Sequence, residues 1–150
     1  MRRTLLVLIV MVATLVVASG VALAVVRSGG PGNDYLTGTN AEDIMRGKGG
    51  NDTVLGFAES DVLYGGDGRD NVVGMRGDDV LYGGDGRDYV DGYGGEDLLY
   101  GGDGNDLVVA SFDGSWDRLD CGKGKDHYAA DKIDYVSSSC EVKVFLVPVD

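Results

Sequence analysis

The chain is 150 residues long, carries a net charge of −12, and holds 26 glycines but only 2 prolines. That length is room for one domain. The acidity excludes nucleic acid and anionic membrane surfaces as partners, and glycine that does not recur every third residue, with proline scarce, excludes collagen.

Arg2 and Arg3 open the chain, an uncharged run from Thr4 to Val26 follows, and Ala22-Leu23-Ala24 lies near its end. A positive start, an apolar middle and a small-x-small site are the layout of a secretory signal peptide. Residues 1–24 are therefore expected to be removed after Ala24. The alternative is an uncleaved membrane anchor, because the run is long enough to span a bilayer. Either way the remainder faces the outside, and a secreted or cell-surface location is expected.

From Gly29 to Val109 the chain divides into nine blocks of nine residues without insertion. Position one is Gly in every block. Position six is Asp in every block: Asp34, Asp43, Asp52, Asp61, Asp70, Asp79, Asp88, Asp97 and Asp106. Position eight is apolar throughout, from Leu36 to Val108. A Gly-rich acidic linker needs that composition but not that phase. Within a block, six residues rich in Gly, Asn and Asp form a turn and three form a short strand. Position eight then points inward, and positions seven and nine point outward. Two blocks make one coil, and coils stack as parallel strands about 4.8 Å apart.

One inward aliphatic per block is a thin core to set against the ordering of so much backbone, and the packed negative charge repels itself. A cation must enter the folded state. Position-six carboxylates recur 18 residues apart on one edge and converge with turn carbonyls. That is a hard oxygen cage of the kind Ca²⁺ prefers. Zn²⁺ favours His or Cys, and His127 is the single histidine.

The nine-residue pattern resembles the GGxGxDxUx repeat of haemolysin-type (RTX) calcium-binding proteins. The resemblance covers residues 29–109, with traces to about 129. It implies an all-β, right-handed parallel β-roll (a β-solenoid) with Ca²⁺ between successive same-side turns. It further implies that the position-six Asp and turn carbonyls are ligands, joined at position three by Asp67, Asp85 and Asp103. The odd turns follow the pattern closely, as in GGDGRD and GGDGND. The even turns depart from it, with Thr39, Phe57, Met75 and Tyr93 at position two. One well-formed calcium edge holding roughly four ions is expected, with a weaker edge where Phe57, Met75 and Tyr93 partly replace metal. Tyr64, Tyr82 and Tyr100 are expected to form an outward ladder packed across strands. Its alternative use is a glycan- or protein-binding stripe, which would make the chain a surface adhesin or matrix module with calcium as scaffold. Family relatives include proteases, lipases and toxins whose activity sits in separate domains. Here the Asp spacing is taken up by the repeat, and His127 has no nucleophile at a recognisable spacing, so no enzyme is expected.

After Val109 the phase breaks at Ala110 and Ser111, and FDGSWDRLD and CGKGKDHYA then restore Asp117, Leu119, Asp126 and Tyr128. Asp126 is expected above Asp106 as a further metal site. Residues 110–150 read as degenerate repeats and a C-terminal cap, with an alternating terminal strand over Glu141 to Val149. In an exported protein Cys121 and Cys140 are expected to form a disulfide pinning that cap; the alternative is two buried thiols.

Overall fold

A computed structural model describes residues 23–110 and 113–144. Residues 1–22 of the expected signal peptide (1–24), and the end of the expected terminal strand, lie outside those residues. Among the described residues the chain forms fourteen strands and no helix. One sheet orders β1 (Val26–Ser28), β3 (Ile44–Gly49), β5 (Val62–Gly68), β7 (Val80–Gly86), β9 (Leu98–Gly104), β11 (Arg118–Gly124) and β13 (Tyr135–Val136). The other orders β2 (Tyr35–Thr37), β4 (Thr53–Ala58), β6 (Asn71–Arg76), β8 (Tyr89–Gly94), β10 (Leu107–Val109), β12 (His127–Ala129) and β14 (Val142–Lys143). Odd strands pair only with odd and even only with even, which is the two-block coil of a parallel β-solenoid.

The register is one coil per 18 residues in the repeats. Leu63 pairs with Leu81 and Leu81 with Leu99 in one sheet; Val72 pairs with Val90 and Val90 with Val108 in the other. Position eight therefore fills the space between the sheets. Met45, Val54, Leu63, Val72, Leu81, Val90, Leu99 and Val108 are wholly buried, and Leu119 continues the row into the cap. Burial of each side chain is worth on the order of 1.5–3 kcal/mol.

Two features differ from the sequence expectation. The strands of the central coils run six or seven residues, not three, because the ladder continues through the glycines of the turn: Gly66, Asp67 and Gly68 pair with Gly84, Asp85 and Gly86. A solenoid corner stacks on the corner below it, so its backbone groups find partners along the axis as a strand's do. Position nine is also not uniformly outward. Tyr64, Tyr82 and Tyr100 lie half-buried on the outer face, but Val73, Asp91 and Val109 in the other sheet are buried. The Tyr89 hydroxyl donates to Asp91 Oδ2, which gives that buried carboxylate a partner among apolar neighbours in its row.

The cap closes both sheets. Cys121 and Cys140 are disulfide-bonded with Cα atoms 5.0 Å apart. The Cys121 N–H donates to Ser139 Oγ at 3.0 Å, and that hydroxyl donates to Asp120 Oδ1 at 2.7 Å. Of the terminal strand expected over Glu141 to Val149, Val142–Lys143 form β14, paired with β12.

Candidate metal centre

Each position-six Asp ends a turn with its side chain folded into the coil rather than toward solvent. Asp43, Asp52, Asp61, Asp70, Asp79, Asp88, Asp97 and Asp106 are all at most 3% exposed, as are Asp117 and Asp126 of the cap. They form two columns. On the odd edge the N–H of Asp34, Asp52, Asp70, Asp88 and Asp106 each donates to Oδ1 of the Asp one coil on, ending at Asp126, at 2.7–2.9 Å. On the even edge Asp43, Asp61, Asp79 and Asp97 do the same, ending at Asp117. The structure thus places Asp126 above Asp106.

Oδ1 is therefore accounted for and Oδ2 is not. The Oδ2 atoms of Asp52, Asp61, Asp70, Asp79, Asp88, Asp97, Asp106, Asp117 and Asp126 are buried with no hydrogen-bond partner. An unpartnered buried carboxylate oxygen is costly, and here it recurs on nine successive turns, five on the odd edge and four on the even. The two columns begin differently. Asp34 Oδ2 accepts the Gly30 N–H at 2.6 Å, and Asp43 Oδ2 accepts the Thr39 N–H at 2.5 Å.

What faces Oδ2 can be read from the position-one glycines. A methyl group added to Gly65 would lie 2.5 Å from Asp70 Oδ2 and 2.5 Å from the Gly83 carbonyl oxygen. At Gly47 the same point is 2.2 Å from Asp52 Oδ2 and 2.4 Å from the Gly65 carbonyl; at Gly83 it is 2.8 Å from Asp88 Oδ2 and 2.4 Å from the Gly101 carbonyl. The orphan carboxylate oxygen and the next coil's carbonyl converge over the same glycine, so position one tolerates no side chain. Among the described residues no three His, Cys, Asp or Glu side chains gather to hold a metal. The donors available to an ion are one carboxylate per coil plus backbone carbonyls, all hard oxygens, which suits Ca²⁺ and not Zn²⁺.

The electrostatics agree. Burial pushes the carboxyls of Asp61, Asp106 and Asp117 up to about 6, those of Asp88 and Asp97 to about 7, and that of Asp79 to about 8. The N–H each accepts offsets part of this, and neighbouring Asp carboxylates add to it. Burial likewise raises Asp70 and Asp126. These columns hold negative charge badly unless a cation or a proton joins them.

The position-three residues Asp67, Asp85 and Asp103 stand elsewhere. They pair in one exposed row along β5, β7 and β9, and Lys123 Nζ sits 2.8 Å from Asp103 Oδ2. The two edges differ mainly at position two, where the backbone is left-handed. On the odd edge Gly66, Gly84 and Gly102 take φ of 120°, 118° and 115° without strain and Lys48 alone is a side chain held there, at 90°, whereas on the even edge Phe57, Met75 and Tyr93 are held at 91°, 90° and 70°. Phe57, Met75 and Tyr93 pair in register as the expected column.

Tyr64, Tyr82 and Tyr100 form the expected ladder, with centroids 4.8 Å apart and rings within 8° of parallel. Arg46 covers the outer face of Tyr64 at 5.1 Å. Both faces of Tyr82 are therefore stacked, and Tyr64 is covered by Tyr82 and Arg46.

Several participants were not anticipated. Asp117 carries the same orphan oxygen as the repeat Asps. The columns end on Asp134, which accepts the Asp117 N–H at 3.1 Å, and Glu141, which accepts the Asp126 N–H at 2.7 Å. Position five bears a second ladder: Asn33 Oδ1 accepts the Asn51 N–H, and Asn51 Oδ1 the Arg69 N–H. The Asn of the GGND turns is its sequence signal.

The family model of the RTX calcium-binding nonapeptide repeat (4 copies) matches residues 28–54, 55–90 and 73–108. No curated protein and no solved structure matches the chain.

Proposed function

Because the chain belongs to the RTX calcium-binding nonapeptide repeat family, we propose that it is an exported β-roll that folds when it meets external Ca²⁺. The observation that carries this reading is the series of nine buried Oδ2 atoms with no partner. Asp52, Asp70, Asp88, Asp106 and Asp126 would hold ions on the odd edge, and Asp61, Asp79, Asp97 and Asp117 on the even edge. Asp34 and Asp43 head the columns, and the exposed Asp67, Asp85 and Asp103 add negative field at the odd edge. Bound Ca²⁺ supplies the positive charge that the buried carboxylates lack.

The mechanism is linkage. The ion binds the folded roll, where carboxylates and carbonyls converge, and not the unfolded chain, where they are apart, so binding draws the chain into the fold. Export is supported by Arg2, Arg3 and the apolar run up to Ala24, and by the disulfide. The roll also begins directly after the expected cleavage site: the Val25 N–H donates to Asp43 Oδ1 at 2.6 Å. Among the described residues no helix is long and apolar enough to cross a membrane. The stacking of Tyr64, Tyr82 and Tyr100 supports a structural role for the ladder, since a sugar ring stacks on an aromatic face and those of Tyr64 and Tyr82 are covered.

The test is a calcium titration of residues 25–150 followed by far-UV circular dichroism, with magnesium as control. A cooperative gain of β signal with calcium alone is expected. An equal response to magnesium would reduce the effect to charge screening, and full β signal in chelator would remove calcium from the folding step.

A further inference from the structure

Position five of the odd edge presents Asn51, Arg69, Arg87, Asn105 and, in the cap, Lys125 on five successive coils. All five are exposed. They line one open groove of about 910 Å³, with Tyr89 and His127 on its other side. Each of the five offers hydrogen-bond donors. Asn51 Oδ1 already accepts the Arg69 N–H, and Asn105 Oδ1 the Lys125 N–H, each at 2.8 Å. What remains to these amides is chiefly their NH₂ groups, and Arg and Lys are donors only. None of these cations is held in an ion pair, since the ion pair found among the described residues joins Lys123 to Asp103 in the position-three row. Position five of the even edge reads Glu42, Ser60, Asp78 and Glu96, so the donor row belongs to one edge alone. In a chain of net charge −12, a strip of donors along five coils is a specific feature.

The strip fits a polymer whose units repeat once per coil, about every 4.8 Å, with anions for Arg69, Arg87 and Lys125 and neutral acceptors for Asn51 and Asn105. An extended acidic peptide places same-side carboxylates about 6.6 Å apart and drifts out of register. A nucleic acid strand would need aromatic platforms for its bases. A sugar ring in an extended polysaccharide advances by nearly one coil. We propose that this groove binds a linear acidic polysaccharide with a carboxylate on each sugar, lying along the roll axis. Arg69, Arg87 and Lys125 meet its carboxylates, the amides of Asn51 and Asn105 meet its hydroxyls, and Tyr89 and His127 flank its rings. The proposal rests on the calcium reading in one respect: ions held by Asp52, Asp70, Asp88 and Asp106 neutralise the carboxylates that also line the groove.

The test is fluorescence anisotropy of a short labelled oligogalacturonate against residues 25–150 at clamped free calcium, with circular dichroism on the same samples. Expected is saturable binding, weakened roughly tenfold for each guanidinium removed in Arg69→Gln and Arg87→Gln. It should fade toward about 1 M salt, where the screening length is about 3 Å. Arg76→Gln, an exposed arginine on the even edge, should leave it unchanged, and a neutral glucose oligomer should not bind. Calcium-folded protein that does not bind, or that binds equally well in the Arg69→Gln/Arg87→Gln double variant, overturns the groove. Oligoglutamate binding as tightly as oligogalacturonate overturns the sugar assignment in favour of acidic peptide. If calcium leaves the dichroism unchanged, the calcium reading is what fails, and the same binding comparison in chelator then decides the groove.

Discussion

The Asp106 N–H donates to Asp126 Oδ1 at 2.8 Å across 20 residues, where every earlier rung of that column spans 18. The even column makes the same step from Asp97 to Asp117. Two extra residues therefore fall between β10 and β11 without displacing either column. The carboxylate columns, more than the count of residues, define the coil, because each Oδ1 bond satisfies a buried N–H that has no partner elsewhere in the turn.

Position-one glycine is predicted to be the least replaceable residue of a block. Gly65→Ala would put a methyl 2.5 Å from both Asp70 Oδ2 and the Gly83 carbonyl, and neither can move without breaking the column. A loss of about 1–3 kcal/mol is expected, with a weaker calcium response. Gly32→Ala meets nothing within 4 Å and should stay within about 0.5 kcal/mol of the parent. Thermal melts of the two at saturating calcium make the comparison; equal melting temperatures would refute the cradle.

Met75→Gly should act in the opposite sense. A large-to-small change usually destabilises, but Met75 is held at φ 90°, where a side chain costs about 1–2 kcal/mol. Glycine removes that strain and loses only partly buried contacts. The melting temperature is expected to hold or rise. A fall of several degrees would mean that the Phe57–Met75–Tyr93 column contributes more than its backbone costs.

The disulfide is predicted to hold the cap rather than the roll. Cys121 and Cys140 are 19 residues apart, and the bridge is worth on the order of 3 kcal/mol by loop closure. Replacing both with Ser should cut hydrogen-exchange protection in β11 to β14 while β5 to β9, sealed by their own ladders, keep theirs. Uniform loss across all strands would show that the cap nucleates the whole roll.

What the sequence made legible was phase. An uninterrupted nine-residue period predicts the two sheets, the inward row from Met45 to Val108 and the stacking of Tyr64 on Tyr82, because every coil repeats the same local choice. What it hid depends on relations between coils that are not periodic. Asp134 and Glu141 end the columns at separations of 17 and 15 residues, so no repeat register finds them. The six- and seven-residue strands arise because Gly66 and Asp67 stack on Gly84 and Asp85, a pairing along the axis that a turn-like composition masks. The burial of Val73 and Val109 is likewise a property of what lies over that face, not of the block.

The metal-free roll should be more stable in mild acid than at neutral pH. The buried carboxyls of Asp61, Asp88, Asp97 and Asp106 titrate at about 6 to 7 in the fold against about 3.9 in the unfolded chain. Between those values the folded state binds more protons, so its stability falls as pH rises through the window and is restored as pH falls. With calcium the dependence inverts, because protons and ions compete for the same oxygens and calcium affinity drops in acid. Far-UV β signal in chelator should rise from pH about 8 to about 4, while the melting temperature in calcium should fall over the same range; parallel trends would sever the link between the columns and the ion.

Asp79→Asn isolates that competition at one residue. Asp79 is wholly buried between Asp61 and Asp97, and burial, with the charges of Asp97 and Asp61 adding to it, pushes its carboxyl up to about 8. Its Oδ1 accepts the Asp61 N–H at 2.7 Å, a bond an amide oxygen can keep. Asn therefore removes the charge and retains the rung. In chelator the variant should hold more β signal than the parent at pH near 8, since the parent must bury a carboxylate there to fold. In calcium it should melt lower and need more calcium to fold, because one anionic ligand is gone. That crossing of signs separates an ion site from a structural rung. A rung alone, which Asn keeps, would leave the variant level with the parent in both conditions, and that result would refute an ion site at Asp79.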